Sequence, residues 1–282
     1  MDKRLSRGLR DTATAVETYA DRDRRMLAQL VFNERSRGGP GLGERVSRSL
    51  RDAGIETRED GWPDRLDPSI ECIICAGGDG TIASAIGPAI EHGLPLGIIP
   101  LGTFNELART LGIPSRIEAA AQAIAARIER AIDVGRVNDR YFIDEASIGF
   151  SSRVARLQTP RLKQRFGIFA IVATALMGMR HLRPIDAEVR YDGQSERLRT
   201  VQLTIANSHR FGGLINVSGA SIDDGWLHLY SIQGAAVHTV RARRFEVRTR
   251  RPHRITADGE PAGATPATFE VVPKALRVLA SR

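Results

Sequence analysis

Residues 70–81 read Ile-Glu-Cys-Ile-Ile-Cys-Ala-Gly-Gly-Asp-Gly-Thr, a short apolar run that leads directly into a glycine-rich turn. Short apolar runs are typical of buried parallel strands, so we predict a strand over 70–76 and a helix over 82–92. Successive backbone N–H groups and a helix N-terminus then meet in the turn Gly77-Gly78-Asp79-Gly80-Thr81. Such a point attracts phosphate, and glycine lets the phosphate approach because it has no Cβ.

The acidic residue in this turn bears on which ligand the turn binds. Asp79 would repel a bare phosphate, but it suits a site that binds Mg²⁺ and a nucleotide together, as phosphoryl transfer requires. The sequence has no G-x-x-x-x-G-K-[ST] element, which excludes a P-loop. Gly78-x-Gly80-x-x-Ala83 formally fits the dinucleotide fingerprint, but the acidic residue wanted about 20 positions later is absent. A tight turn that binds nothing is the structural alternative.

A second polar segment, Pro100-Leu-Gly-Thr-Phe-Asn-Glu-Leu-Ala-Arg109, follows another short apolar run. It opens a further helix, and Thr103 and Asn105 can cap that helix or hydrogen-bond a ligand. The carboxyl ends of parallel strands share one edge of a sheet, where ligands of open α/β folds bind. Gly102, Thr103 and Asn105 are therefore candidate ligand-binding residues beside the glycine turn, although capping alone would also explain the last two.

The remaining pattern divides the 282 residues into an extension and two domains. Residues 1–26 are predicted as a helical extension, and 27–130 as an α/β nucleotide-binding domain with a parallel sheet, because strands and helices alternate there. The predicted strands are 27–33, 70–76 and 96–99, and the predicted helices are 44–53, 82–92, one that begins near 105, and 117–130. Short alternating segments predict an antiparallel, β-rich second domain over 131–271. The chain end, 272–282, is expected to return to the first domain, with the active site in the cleft.

Composition indicates an α/β protein that acts inside the cell. Hydrophobic residues make up 42% of the chain, aromatic residues 5%, and the net charge is +8. The excess of arginine favours nucleotides or an anionic membrane surface as partners. No basic stripe with interleaved aromatic residues indicates nucleic acid. Because no secretory signal is recognisable, we expect a cytoplasmic protein, peripheral at the inner membrane surface. The sequence carries no signal for an oligomeric state.

Two segments allow more than one interpretation. Cys72 and Cys75 form a C-x-x-C with no second ligand pair, which favours buried strand residues over metal or redox chemistry. Residues 166–179 are apolar but too short to span a bilayer. They form either a buried helix, which we favour, or a helix that partly enters a membrane surface. The basic residues that flank this run are Arg161, Lys163, Arg165, Arg180 and Arg183.

The second domain contains two acidic segments. In an extended conformation Asp258 and Glu260 project to the same face, which suits a base and its orienting partner. An ordinary D-G turn with a solvated Glu260 is the alternative. The segment Asp223-Asp224-Gly225 suits a hairpin turn.

These motifs together resemble the diacylglycerol kinase catalytic superfamily, which includes sphingosine kinases and bacterial lipid kinases. Its GGDGT turn stands at 77–81 and its P-L-G-T-x-N-x-x-A-R segment at 100–109. Motifs similar to those that come later in the family's sequences follow in the same order. They are Asp133-Val-Gly-Arg, Ser147-Ile-Gly-Phe, Ala206-Asn207, Phe211-Gly212-Gly213, Ala220-Ser-Ile-Asp223-Asp224-Gly225 and Asp258-Gly259-Glu260. The resemblance spans most of the chain, from about 27 to 279.

The resemblance implies an ATP-dependent lipid kinase that uses ATP and Mg²⁺ and phosphorylates a lipid hydroxyl such as that of diacylglycerol. It implies catalytic roles for Asp79, Asp258 and Glu260, and a structural Mg²⁺ held by Asp224 with Asp223 beside it. The implied nucleotide-binding residues are Asn33, Ser36, Gly77, Gly78, Asp79, Gly80, Thr81, Gly102, Thr103 and Asn105.

Several positions depart from the family pattern. The first loop, Asn33-Glu-Arg-Ser36-Arg-Gly38, lacks the proline of N-P-x-S-G, and Phe104 and Glu106 stand where Gly and Asp are common. Two other functions stay open. One is an NAD kinase, which shares the GGDGT turn but lacks the P-L-G-T-x-N segment. The other is a catalytically silent nucleotide- or lipid-binding regulator, against which the intact acidic residues argue.

Overall fold

The computed structural model describes residues 25–32, 41–60, 62–63, 65–149, 184–207, 210–211, 215–216, 221–233 and 236–280. Most of the predicted extension, the loop residues Asn33 and Ser36, and the apolar run 166–179 lie outside these residues. Within the described ranges, no helix is long and apolar enough to cross a bilayer.

The described residues form four helices and eighteen strands. The helices are α1 (Leu42–Asp52), α2 (Asp79–Glu91), α3 (Glu106–Thr110) and α4 (Ile117–Ala125). The strands of the first half are β1 (Met26–Phe32), β2 (Ile55–Arg58), β3 (Cys72–Gly77), β4 (Leu96–Pro100), β5 (Glu129–Val137), β6 (Arg140–Phe142) and β7 (Glu145–Gly149). The later strands are β8 (Ile185–Tyr191), β9 (Gln194–Thr200), β10 (Gln202–Ala206), β11 (Arg210–Phe211), β12 (Ile215–Asn216), β13 (Leu227–Gln233), β14 (Ala236–Ala242), β15 (Arg244–Thr249), β16 (Arg254–Ala257), β17 (Glu260–Ala264) and β18 (Ala267–Leu279).

The N-terminal half is built on the parallel sheet that the alternating pattern predicts. Its strands lie in the order β2-β1-β3-β4-β18, and every neighbouring pair is parallel. All six residues of β3 are buried, which explains why this strand is nearly free of polar residues. In α2 the buried residues Ile82, Ala85, Ile86 and Ala89 recur at helical spacing and face the core. Cys72 and Cys75 are free and buried in this core, as expected of strand residues.

Two elements differ from the sequence prediction. Strand β2 was not predicted, because in Ile-Glu-Thr-Arg only Ile55 is both apolar and buried, which leaves no periodicity to recognise. The helix predicted over 117–130 ends at Ala125. Arg127 then adopts a positive φ of 55°, and β5 begins at Glu129. An L-residue with that backbone conformation cannot continue a right-handed helix, which explains the early end.

The C-terminal half contains the predicted antiparallel sheet. Its order is β14-β13-β10-β7-β16-β17, and each neighbouring pair is antiparallel. One face contributes Ile148, Leu203 and Leu229 to a second core that also contains Phe142, Phe245 and Phe269. The two-domain α/β fold class is thereby confirmed.

The long strand β18 connects the two halves. It spans 13 residues, runs parallel to β4 at Val278, and pairs antiparallel with β5 and β15. One sheet of ten strands therefore continues from the parallel into the antiparallel part. The domain boundaries at 130 and 271 stay predictions.

Candidate active site

The glycine turn joins a buried strand to a helix at the carboxyl edge of the parallel sheet. β3 ends at Gly77, and α2 begins at Asp79, with the extended Gly78, which has no side chain to cap the helix, as its N-cap. The first N–H groups of any helix lack partners inside that helix. The edge of the sheet thus offers backbone donors and the positive end of α2, the arrangement expected of a phosphate site.

The second loop packs directly against this turn through two glycines. A Cβ at Gly102 would lie 2.5 Å from the Cα of Gly78, and a Cβ at Gly78 would lie 3.1 Å from the Cα of Gly102. These glycines are therefore needed for backbone contact between the loops, in addition to any approach of a phosphate. Gly80 differs, because a Cβ there would meet no atom within 4 Å. That side of the turn is open space.

Asp79 holds the two loops together. Its carboxylate accepts hydrogen bonds from the backbone N–H groups of Asn105 (3.1 Å) and Glu106 (2.8 Å), and so caps α3. Asn105 has a φ of 48°, and its side chain exchanges two hydrogen bonds with the backbone of Gly102, at 2.9 and 3.0 Å. Sequence reasoning gave Asp79 a metal-organising role and missed this bridging role. Thr103 is exposed at the tip of the same loop.

The D-G-E segment forms a tight hairpin turn between β16 and β17. Ala257 pairs with Glu260, and Asp258 and Gly259 have φ values of 46° and 84°. The expectation of an extended segment with both carboxylates on one face is wrong, because Asp-Gly favours a two-residue turn with positive φ at both positions. Glu260 is exposed as the first residue of β17, and no hydrogen bond or ion pair within the described ranges engages its carboxylate.

The carboxylate of Asp258 accepts hydrogen bonds from the backbone of the loop between β6 and β7. Its oxygens accept N–H groups from Ile143 (2.7 Å), Asp144 (3.0 Å) and Glu145 (3.1 Å). Asp258 therefore positions residues 143–145, which lie between β6 and the start of β7.

Three carboxyl groups from distant parts of the chain line one small pocket, where α2 meets the second domain. The lining residues are Asp79, Ile82, Ala83, Ile86, Leu107, Ile143, Asp144 and Asp258. Asp144 was missed by sequence analysis, because nothing in its local sequence distinguishes it from any other acidic loop residue. The pocket contains residues from both halves of the chain, as the prediction of an interdomain cleft requires.

Burial and mutual repulsion raise the pKa values of two of these groups. Burial raises the pKa of Asp258 to about 6, against the effect of three backbone N–H groups, and the charge of Asp79 adds to the rise. Burial also raises the pKa of Asp144 well above its usual range, with further contributions from Asp258, Glu106, Asp79 and Glu145. Close carboxyl groups in a pocket cannot all ionise without cost, so Asp144 and Asp258 give up their protons less readily than an isolated aspartate does.

The predicted metal residues Asp223 and Asp224 lie in a turn and are engaged by protein groups. Asp224 accepts the backbone N–H groups of Ser221 (3.0 Å) and Trp226 (2.9 Å). Asp223 accepts the hydroxyl of Ser221 and pairs with Arg130 at 3.0 Å. In the described part of the chain, no group of three or more His, Cys, Asp or Glu side chains is arranged to hold a metal ion. A structural Mg²⁺ at this turn stays a prediction.

Comparison with known sequences identifies the family. Residues 42–137 match the "Diacylglycerol kinase catalytic domain", and 145–236 and 230–280 match the "YegS C-terminal NAD kinase beta sandwich-like domain". A Klebsiella pneumoniae protein named "Probable lipid kinase YegS-like" is 32% identical over 281 residues, covering 88% of this chain and 94% of that protein. A diacylglycerol kinase of Bacillus subtilis is 29% identical over 224 residues, covering 71% of this chain and 74% of that enzyme. The chain also spans 54% of an "Uncharacterized protein" of Synechocystis, with 28% identity over 235 residues and 74% of this chain covered.

Solved structures with the same fold are similar over nearly the whole chain. A diacylglycerol kinase from Bacillus anthracis superposes with a TM-score of 0.71 at 21% identity, covering 91% of this chain and 97% of that one. An NAD kinase from Archaeoglobus fulgidus in complex with ATP gives a TM-score of 0.57 at 17% identity, covering 90% of this chain and 93% of that one. The chain belongs to the diacylglycerol kinase-like family of lipid kinases, so the family predicted from its motifs is confirmed.

Two glycine substitutions distinguish loop packing from ligand binding. Gly102→Ala places a Cβ 2.5 Å from the Gly78 backbone, and we expect a loss of about 1–3 kcal/mol in the free energy of unfolding. Gly80→Ala meets open space, so we expect unchanged or slightly higher stability with weaker ATP binding. Urea unfolding and calorimetric titration with ATP measure the two effects. If Gly80→Ala bound ATP as well as the wild type, phosphate binding at the first turn of α2 would be excluded.

The stability of the protein should depend on pH through Asp144. Its folded pKa is raised, so the folded state binds more protons than the unfolded state above about pH 4 and loses stability as pH rises. Asp144→Asn removes this titration, and we expect it to be more stable than the wild type at pH 8 by at least about 1 kcal/mol. Urea unfolding between pH 5 and 8 measures how the free energy of unfolding changes with pH. Asp139→Asn, at an exposed position, is the control. If the free energy of unfolding changed equally with pH in the wild type and in Asp144→Asn, the raised pKa of Asp144 would be contradicted.

Proposed function

We propose that the protein transfers the γ-phosphoryl group of ATP to the hydroxyl group of a lipid, with diacylglycerol as a candidate acceptor. The observation that carries this proposal is the pocket in which Asp79, Asp144 and Asp258 meet beside the two glycine loops. Phosphoryl transfer relies mainly on positioning and charge stabilisation. This edge offers backbone donors on one side and carboxyl groups from the second domain on the other.

The nucleotide would bind with its phosphates at the N-terminus of α2. The open space beside Gly80 and the exposed hydroxyl of Thr103 are consistent with a ligand on this side of the turn. The related fold of an NAD kinase was solved with ATP. Gly77, Gly78, Thr81, Gly102 and Asn105 would shape the site through the loop backbone, and Asn33 and Ser36 are the remaining proposed contacts.

Asp79 is the proposed contact for a divalent cation that accompanies the nucleotide. Asp79 uses one lone pair on each oxygen for the N–H groups of Asn105 and Glu106, and a carboxylate has about four such sites. Asp79 is therefore able to contact Mg²⁺ without releasing α3. When bound, the ion would neutralise charge on the phosphates, which would otherwise face three carboxyl groups.

Glu260 is the proposed acceptor of the hydroxyl proton, and Asp258 its positioning partner. The three N–H groups that Asp258 accepts leave it little capacity for another proton donor. Glu260, two residues further along the same hairpin, is exposed and has no competing partner among the described residues. A carboxylate with free oxygens is the better candidate for the base.

The function is tested by incubating the protein with labelled ATP, Mg²⁺ and a total lipid extract, and identifying the labelled product by mass. We expect one labelled lipid class. The likeness to an NAD kinase fold makes NAD the competing acceptor, so NAD is assayed in parallel. Transfer to NAD alone would replace the proposal, and ATP binding without transfer to either acceptor would indicate a regulator.

The two carboxylates of the hairpin should respond differently to substitution. Glu260→Gln keeps the shape of the side chain and removes its basicity, so we expect kcat to fall by about 10²–10⁴ with stability unchanged. Asp258→Asn cannot accept all three N–H groups at 143–145, so we expect both a lower melting temperature and lower activity. Steady-state kinetics and thermal unfolding of both variants provide the comparison. Full turnover by Glu260→Gln would exclude Glu260 as the base.

A further inference from the structure

Trp226, Arg241 and Arg243 form a compact group at the edge of the second sheet, called here the Trp226 patch. The guanidinium carbons of both arginines lie 5.3 Å from the centre of the indole ring. Both arginines are exposed, and Trp226 is partly exposed. In the antiparallel pair β13 and β14, Leu227 lies opposite Ala242, and continuing this register by one residue brings Trp226 opposite Arg243. The patch therefore lies where the paired strands β13 and β14 end.

The positive charge of the patch is not neutralised by the described part of the chain. Neither Arg241 nor Arg243 has a carboxylate partner there, whereas the next residue, Arg244, pairs with Glu246 at 3.1 Å. Two cations held against one indole repel each other, although each is attracted to the ring. An anion bound beside both guanidinium groups would remove this repulsion.

The surroundings of the patch combine further positive charge with an apolar contact. Residues 241–254 contain seven arginines and a single carboxylate. Val237, which is 58% exposed, lies on the same face of β14 as Arg241, because the two are four residues apart in a strand. β14 is the edge strand of its sheet in the described residues, and Val237, Thr239 and Arg241 on this face of the strand are exposed.

We propose that the Trp226 patch docks the protein on an anionic lipid bilayer. The proposal rests on the proposed function, since a lipid acceptor resides in such a surface. Arginine binds lipid phosphates through paired N–H groups, and indole rings settle at the headgroup level of membranes. Nucleic acid fits less well, because the ring that would stack on a base is already occupied by two guanidinium groups. The exposed valine adds the shallow apolar contact that an interfacial site uses.

Tryptophan fluorescence tests the contact directly. The chain has two tryptophans, and Trp62→Phe leaves Trp226 as the sole reporter. With vesicles of phosphatidylcholine and phosphatidylglycerol, we expect a blue shift of the emission and quenching by brominated acyl chains. Vesicles of phosphatidylcholine alone should produce neither effect. Bound protein whose Trp226 emission shows no shift and no quenching would overturn the proposal.

A matched pair of double variants tests the charge contribution. Arg241→Gln/Arg243→Gln should weaken binding to phosphatidylglycerol vesicles by about 25-fold, since each arginine near an anionic surface contributes about fivefold. Arg48→Gln/Arg51→Gln removes the same charge from exposed positions of α1 and should bind like the wild type. Co-sedimentation measures both, after matching melting temperatures are established. Equal losses in the two variants, or patch-dependent binding of a DNA duplex without vesicle binding, would overturn the proposal.

The test separates this surface from the enzymatic proposal. Vesicle binding is measured without ATP, so it reports on the patch even if no lipid is phosphorylated. Phosphorylation of a soluble short-chain diacylglycerol should be unchanged in Arg241→Gln/Arg243→Gln, because these residues lie outside the catalytic pocket. Wild-type vesicle affinity in that variant refutes docking by the patch and leaves the kinase reaction standing.

Discussion

The backbone N–H groups of Asn105 and Glu106 both donate to the carboxylate of Asp79. Hydrogen bonds to an ionised acceptor are among the stronger ones in proteins, and Asp79 also lies in the first turn of α2, where a negative charge is favoured by the helix dipole. One side chain therefore fixes α3 relative to α2. The direct contact of Gly78 with Gly102 depends on this bridge and on the lack of a Cβ at both positions.

The charge of the pocket differs in sign from the net charge of the protein. The protein carries a net charge of +8, yet the pocket at its centre collects the carboxyl groups of Asp79, Asp144 and Asp258. Polyanions are attracted to the surface as a whole but meet negative charge where the reaction would occur. This contrast is the physical reason for proposing that ATP enters together with Mg²⁺, and it agrees with the raised pKa values of Asp144 and Asp258.

The parts of the site that sequence could predict are those encoded locally. The run before Gly77 is apolar because the strand is buried, and the turn is recognisable because three of the residues 77–80 are glycines, so both were found. Asp144 could not be found, since its pocket partners Asp79 and Asp258 are separated from it by long stretches of chain. The bridging role of Asp79 was hidden for the same reason. For the D-G-E segment the sequence left an extended conformation and a D-G turn open, and the structure has the tight hairpin that Asp-Gly favours.

The position of Asp144 in the cleft follows from a chain of backbone hydrogen bonds. Asn207 is buried, and its side-chain amide donates to the carbonyl groups of Asp133 (2.9 Å) and Ile143 (3.1 Å). The carboxylate of Asp133 accepts the N–H groups of Gly225 (2.6 Å) and Lys274 (2.8 Å), which links β5 to the Asp223 turn and to β18.

Residues 143–145 are thus held from one side by Asn207 and from the other by Asp258. Both anchors contact the backbone, so the shape of this loop depends little on its own side chains. What the side chain at 144 adds is a carboxyl group in the pocket that Asp79 also lines. A substitution at Asn207 or Asp133 would therefore alter the pocket by moving this loop, although neither side chain lines it.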